Sequence, residues 1–364
     1  MRFFLPTTMI DLIFTTIAST SIIIYLCYLY NWIVAWQRAE TFDGRDERRT
    51  PISIVVAMHN EAQVARQLVS SLLDAISPND RIIIVFDHCT DNTEAVLRQF
   101  VSDNLLIVNN PYKNGKKQAQ RYGVELAKTE IVVTTDADCV VDKLWLSALD
   151  KYQRANNCDM VIMPVRMATD GSLFGNVVEL EFAAIQMATA SCALMNNSSM
   201  CNGANMAFRR DLYLSHDAQT DYISGDDMFL LGSVKQNGGR IGYIKSHDAL
   251  VTTSVPRGFR NYMKQRTRWL RKSSGYKDEE VLRVAWAMLL GNISWPLLLL
   301  CGNIQLSIII FMLKTVAETL LLFVGRRVFD VKIRPLALIL LAVVYPFLIL
   351  LIAASTFLRS KKEW

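Results

Sequence analysis

The strongest constraint on this chain is where its charges are missing. Residues 12–37, 26 in all, contain no Asp, Glu, Lys or Arg, and about 20 apolar residues in a helix suffice to cross ~30 Å of hydrocarbon. A secretory leader would show a shorter apolar core, a more basic start and a small-residue cleavage site. None is evident, so residues 1–37 read as an uncleaved transmembrane anchor. The same signal returns at the far end. Residues 284–313 and Pro335–Leu358 are uncharged, and the stretch between them, 315–325, is apolar apart from Glu318. Lys314 and Glu318 are four apart, so on a helix they share a face and can neutralise each other. The expectation is two helices within 284–325, turning near residues 302–305, and a third at about 336–358. The competing arrangement is one long helix followed by an amphipathic segment along the interface.

These ends account for the composition, 51% hydrophobic over 364 residues. The middle reads as an ordinary globular domain over residues 51–278, preceded by a polar tether at 38–50 and followed by the membrane region 279–364 with its two to three transmembrane helices. Arg38, Arg45, Arg48 and Arg49 directly follow the first span, whereas Arg2 and Asp11 precede it. The positive-inside rule therefore puts the central domain on the cytoplasmic side. Three C-terminal spans would carry Arg359, Lys361 and Lys362 to the other side, a conflict that a re-entrant or interfacial segment would remove. The net charge of +5 suits juxtamembrane basic clusters better than a nucleic-acid surface, so no nucleic-acid partner is expected. Seven cysteines without a C-x-x-C pair argue against a disulfide framework or a zinc site and suit a reducing compartment.

Within the central domain, apolar runs alternate with helical patterns. Ile52–Met58, Arg81–Phe86, 105–108 and 131–135 read as buried strands, with helices at 61–75, 92–100 and 115–128 between them. The alternation predicts a parallel sheet covered on both faces, and in such sheets ligands bind beyond the carboxyl ends of the strands. Acidic and polar residues sit there: His59, Asn60 and Glu61 after the first strand, Asp87, His88, Cys89, Thr90 and Asp91 after the second, Asp136 and Asp138 after the fourth. Each has a purely structural account as well, since Asp91 can cap a helix and Asp87 can close a turn.

Asp136 and Asp138 form the sharper pair. An i, i+2 spacing in extended chain aims both side chains one way, and paired carboxylates suit Mg²⁺ or Mn²⁺ carrying phosphate oxygens. A bare D-x-D is common by chance and takes its weight from its position. Asn114, Gly115, Lys116 and Lys117 open a helix and offer cationic and amide donors to a diphosphate; a solvated helix start is the equal alternative. Asn202, Gly203, Ala204 and Asn205 precede a strand-like run. Gly225, Asp226 and Asp227 enter a helix, where Asp226 reads as a cap or support and Asp227 as a general base for an acceptor hydroxyl. Gln265, Arg266, Thr267, Arg268 and Trp269 lie in a basic helical stretch just before the membrane. A lipid-headgroup belt would explain the Arg and Trp but not their order.

Together, Asp87, the Asp136 and Asp138 pair, the Gly225 to Asp227 triplet and the Q-x-x-R-W element Gln265, Arg268, Trp269, in that order, resemble the membrane-bound family 2 glycosyltransferases, the group of cellulose, chitin and hyaluronan synthases and ceramide glucosyltransferase. The resemblance spans about residues 50–275 and the flanking spans. It implies an α/β GT-A (Rossmann-like) mixed-sheet fold and an inverting single displacement from a nucleotide-sugar donor, UDP being the family's usual carrier. By that analogy Asp87 contacts the base, Asp138 binds the metal, Asp136 supports the donor and Asp227 is the base. Gln265, Arg268 and Trp269 close over the donor diphosphate and line the acceptor end, near Gly203 and Asn205. The membrane part is smaller than in polymer-secreting synthases. That favours a lipid or lipid-linked acceptor, or a glycan exported with a partner protein. A non-catalytic nucleotide-sugar-binding subunit of an export complex would be expected to lack the D-x-D or the base, and this chain keeps both. A membrane phosphotransferase would leave the Q-x-x-R-W element without a role.

Overall fold

The structure is a computed structural model that describes residues 7–45, 50–112, 115–215, 226–273 and 278–358. Arg2, Arg48, Arg49, Asn114, Gly225, Arg359, Lys361 and Lys362, all named above, lie outside the described residues, as does the side chain of Asp226. The chain opens with α1 (Thr7–Arg38), then alternates through β1 (Ile52–Met58), α2 (Ala65–Ala75), β2 (Arg81–Phe86), α3 (Thr93–Leu97), β3 (Leu105–Asn109), α4 (Lys116–Leu126) and β4 (Ile131–Thr134). Next come β5 (Val140–Val141), α5 (Trp145–Asn156), β6 (Met160–Ile162), β7 (Val165–Ala168) and the long α6 (Leu173–Leu194). The domain finishes with β8 (Met206–Arg209), α7 (Arg210–Ser215), α8 (Asp226–Gln236), β9 (Ile241–Tyr243), β10 (Val251–Ser254) and α9 (Gly258–Ser273). Three more helices follow: α10 (Glu279–Leu300), α11 (Ile304–Gly325) and α12 (Pro335–Leu358).

The main sheet runs β3-β2-β1-β4-β8-β6-β9. Its first four strands are parallel, as their unbroken apolar runs predict, because both faces are covered. The pairing of Met58 with Phe86 and of Val55 with Thr134 brings the ends of β1, β2 and β4 to one edge. Gly123 lets α4 lie close on this sheet: a Cβ there would come within 2.4 Å of Val55 Cγ1. A purely parallel sheet is not what forms. Strand β8 is antiparallel to both β4 and β6, so it starts where β4 ends and delivers residues 200–205 to the ligand edge. A second sheet, β5-β10-β7, lies beside it.

Among the described residues, five helices are long and apolar enough to cross a membrane: α1, α6, α10, α11 and α12. Four of them turn large apolar side chains outward, among them Ile23, Trp286, Val316 and Leu336. The fifth, α6, is buried between the sheet and the other helices and packs on α1, α11 and α12. The turn expected near residues 302–305 falls at 301–303, with Gly302 in the left-handed region. Close packing of α1 on α10 depends on Gly291, since a Cβ there would sit 2.4 Å from the ring of Tyr25. Lys314 is buried and its Nζ lies 2.8 Å from Glu318 Oε2; the other oxygen of Glu318 accepts from the Tyr25 hydroxyl at 2.6 Å. The described part of the tether is fastened down. Lys245 donates to the Trp36 and Ala39 carbonyls, Asp248 accepts from the Gly44 amide, and Lys151 pairs with Asp43.

Candidate active site

A cleft of about 340 Å³ opens beyond the end of β4. Lys116, Asp136, Asp138, Gly203, Asp227, Gln265, Arg268 and Trp269 all line it. These residues span more than 150 positions, so the fold gathers what the sequence scatters.

Asp136 is half-buried and Asp138 exposed, with Ala137 buried between them. They lie in a turn beyond β4 rather than in extended chain, the Cys139 amide donating to the Asp136 carbonyl at 3.2 Å. Both still reach the cleft. Asp136 accepts from Lys116 Nζ at 2.5 Å, and Asp138 from the Thr253 hydroxyl at 3.0 Å. Burial alone would push the Lys116 ammonium down, but attraction to Asp136 and Asp227 outweighs it and raises the group above its usual range. Glu61 is pushed up by partial burial and then by its neighbours Asp138, Asp136 and Asp91, although it is not among the cleft's lining residues.

Asp227 stands in the first turn of α8. Its carboxylate is held by two backbone amides, Gly203 N at 3.1 Å and its own neighbour Met228 N at 2.9 Å. The Thr134 hydroxyl donates to the Gly203 carbonyl at 3.0 Å, so β4 fixes the loop that orients Asp227. Gly203 thus helps to hold Asp227 in place. Cys139 and Cys201 also face the cleft; burial first, and then the Asp136 and Asp138 charges for one and the Asp227 charge for the other, push both thiols well up. Protonated thiols are poor nucleophiles.

Three candidates take other places. Asp87 is 1% exposed and its oxygens accept from Asn110 Nδ2 at 2.9 Å and the Gly115 amide at 2.8 Å, so it secures the start of α4. Asn205 is fully buried: its amide donates to the Pro164 and Ala249 carbonyls and its oxygen accepts from the Trp145 indole. That side chain ties loops together and does not line the cleft. Asp91 accepts from the Thr93 and Ala62 amides, which is the capping role.

One face of the Q-x-x-R-W helix belongs to the cleft. Gln265, Arg268 and Trp269 line the cleft, and two of them, Gln265 and Trp269, are held by Arg266, a residue the pattern reading left without a role. Its guanidinium is 5% exposed and makes two bonds to the Glu181 carboxylate, at 3.2 and 2.7 Å. It lies over the rings of Trp269 (4.4 Å) and Tyr262 (4.9 Å) and donates to Gln265 Oε1 at 2.8 Å. Tyr262 closes the network through its hydroxyl, which donates to Glu181 at 2.9 Å. Glu181 sits on α6, and the signal that would have found it is a pair of carboxylates, Glu179 and Glu181, in an otherwise apolar helical run.

Comparison with known proteins bears on the class. The model of the family described as glycosyl transferase family 2 matches residues 53–215. Over that stretch the chain is similar to a family 2 glycosyltransferase domain. The poly-beta-1,6-N-acetyl-D-glucosamine synthase of Staphylococcus epidermidis is 27% identical to this chain over 136 residues, 37% of this chain and 33% of that protein. An N-acetylglucosaminyltransferase of Azorhizobium caulinodans is 26% identical over 211 residues, covering 54% of this chain and 52% of its own length. The chain thus spans between a third and about half of these curated relatives. In overall shape the glycosyltransferase domain and its flanking helices are similar to the mannosyltransferase PcManGT from Pyrobaculum calidifontis, solved with GDP-Man and Mn²⁺. The TM-score is 0.57 at 18% identity, covering 92% of this chain and 99% of that one. The α/β GT-A fold implied by the motifs is the fold the chain adopts.

Proposed function

We propose that the protein is an inverting glycosyltransferase that moves a sugar from a nucleotide-sugar to a lipid, lipid-linked or growing glycan acceptor at the cytoplasmic face of a membrane. The observation that carries the reading is the single cleft holding Lys116, Asp136, Asp138, Asp227, Gln265, Arg268 and Trp269. Uridine diphosphate N-acetylglucosamine is the first donor to test, because the relatives are named for N-acetylglucosamine transfer.

Asp136 and Asp138 offer hard oxygen ligands, and among the described residues no three His, Cys, Asp or Glu side chains come together. That donor set fits Mg²⁺ or Mn²⁺, which take few protein carboxylates and fill their shell with phosphate oxygens and water. When bound there, such an ion supplies positive charge to the departing diphosphate. The chain's own groups do the rest. Arg268 adds a fixed cation, and Lys116, held protonated by its acidic neighbours, adds a second. Gln265 and Trp269, locked by Arg266, orient the donor. Asp227 takes the proton of the acceptor hydroxyl as its oxygen bonds to the anomeric carbon and the carbon–diphosphate bond breaks on the other side. Two amides fix the orientation of that carboxylate in advance.

Asp227→Asn keeps the shape and removes the basicity. Its kcat should fall by about 10²- to 10⁴-fold, while uridine diphosphate binding by titration calorimetry stays within error. Turnover at the wild-type rate would remove Asp227 from the mechanism.

A further inference from the structure

The two long walls of the cleft are chemically unlike. One is the acidic and cationic edge just described. The other is a face of α6 formed by Phe182, Ile185, Gln186 and Thr189, spaced as one helical stripe. Gln186 is 3% exposed, and its side-chain oxygen is buried with no hydrogen-bond partner. Thr189 is equally buried, and its hydroxyl proton is already committed to the Ile185 carbonyl at 3.0 Å, leaving that oxygen able only to accept. A buried acceptor without a donor is unfavourable, and folded proteins keep few of them. Here one unpartnered acceptor, Gln186 Oε1, and a Thr189 oxygen that can still accept stand three residues apart on a helix that lines the cleft.

We infer that Gln186 and Thr189 form a hydroxyl-reading subsite for the sugar of the acceptor. What two acceptor oxygens need is a ligand rich in O–H or N–H groups, and a sugar ring supplies both. A phosphate group carries acceptors and would leave both of these oxygens unmet, so the subsite favours the sugar end of the acceptor over a lipid phosphate. Phe182 and Ile185 beside it supply apolar surface for the C–H face of such a ring. The assignment rests on the transfer reaction proposed above and adds the group that recognises its second substrate.

The test compares wild type, Gln186→Met and Thr189→Val in lipid, measuring uridine diphosphate release from the N-acetylglucosamine donor with and without a β-1,6-linked N-acetylglucosamine tetramer. Losing one neutral hydrogen bond should raise the ratio of tetramer KM to donor KM by about three- to tenfold in Gln186→Met, and in the same direction in Thr189→Val. The melting temperature of Gln186→Met should stay at or above that of wild type, because an unpartnered amide has been removed. An unchanged KM ratio in both variants overturns the subsite while leaving the transfer reaction intact. A Gln186→Met protein that melts markedly lower or fails to fold also overturns it, since the amide would then be structural. Wild-type release that the tetramer does not stimulate removes the sugar-reading role alone. No release from wild type with any donor counts against the transfer reaction itself and takes the subsite with it.

Discussion

Helices α6 and α10 are each 22 residues long and comparably apolar, yet they end in different surroundings. In α6, 83% of the most apolar window is buried inside the protein; in α10 the share is 33%. The difference lies in where the few polar groups point. Helix α6 carries Glu179 and Glu181 inward, each onto a buried or half-buried arginine, Arg166 and Arg266. Helix α10 keeps its acids at the first turn, where Glu279 pairs with Arg283 in the open, and turns Leu282, Trp286 and Leu300 outward. Length and hydropathy admit both helices to a membrane. Burial assigns one to the wall of the cleft and leaves the other with an apolar face to cover.

Removing a charge from each helix is the sharpest way to break this comparison. Glu181→Ala strands the Arg266 guanidinium in a buried site and should cost about 3–5 kcal/mol of stability, read as a lower denaturation midpoint. It should also weaken donor binding by freeing Gln265 and Trp269. A change within error would mean that α6 is not the internal wall described. Next in size is Val316→Arg, which puts a charge on the outward face of α11 (Val316 is 54% exposed). At a helix centre in lipid this costs about 2.5–3.5 kcal/mol, and it should reduce membrane-integrated protein in a carbonate-extraction assay. Full integration would contradict a lipid-facing surface there. The smallest effect belongs to Glu279→Ala. Its ion pair with Arg283 is exposed at both ends, so the midpoint should move by no more than about 0.5 kcal/mol.

The same contrast explains what the sequence disclosed. Strand-end acids were legible because unbroken apolar runs such as Arg81–Phe86 define parallel strands, and the chain's next residues must emerge at the ligand edge. Asp136, Asp138 and the Q-x-x-R-W residues were legible as short local patterns. Contacts between distant residues were not. Nothing local to Arg266 announces Glu181, 85 positions earlier, and an apolar run with two acids reads as an ambiguous segment rather than as the wall of a cleft. Asn205 shows a second kind of hidden contact. Its neighbourhood in sequence looks like a substrate loop, but its amide closes on Pro164 and Ala249, partners that only the folded sheet brings near. Asp87 has a structural role that was equally hidden, since the Gly115 amide that donates to it comes from the next strand–helix connection. The antiparallel β8 escaped because a four-residue strand carries no mark of its direction.

The most direct test of the cleft as a transferase site is uridine and guanosine diphosphate release from a panel of nucleotide-sugars, in lipid, with Mg²⁺ or Mn²⁺ and with chelator, for wild type and Asp138→Ala. The account predicts release from one donor that needs the divalent ion and disappears in the variant. Release that persists at the wild-type rate in Asp138→Ala, or in chelator, would contradict it.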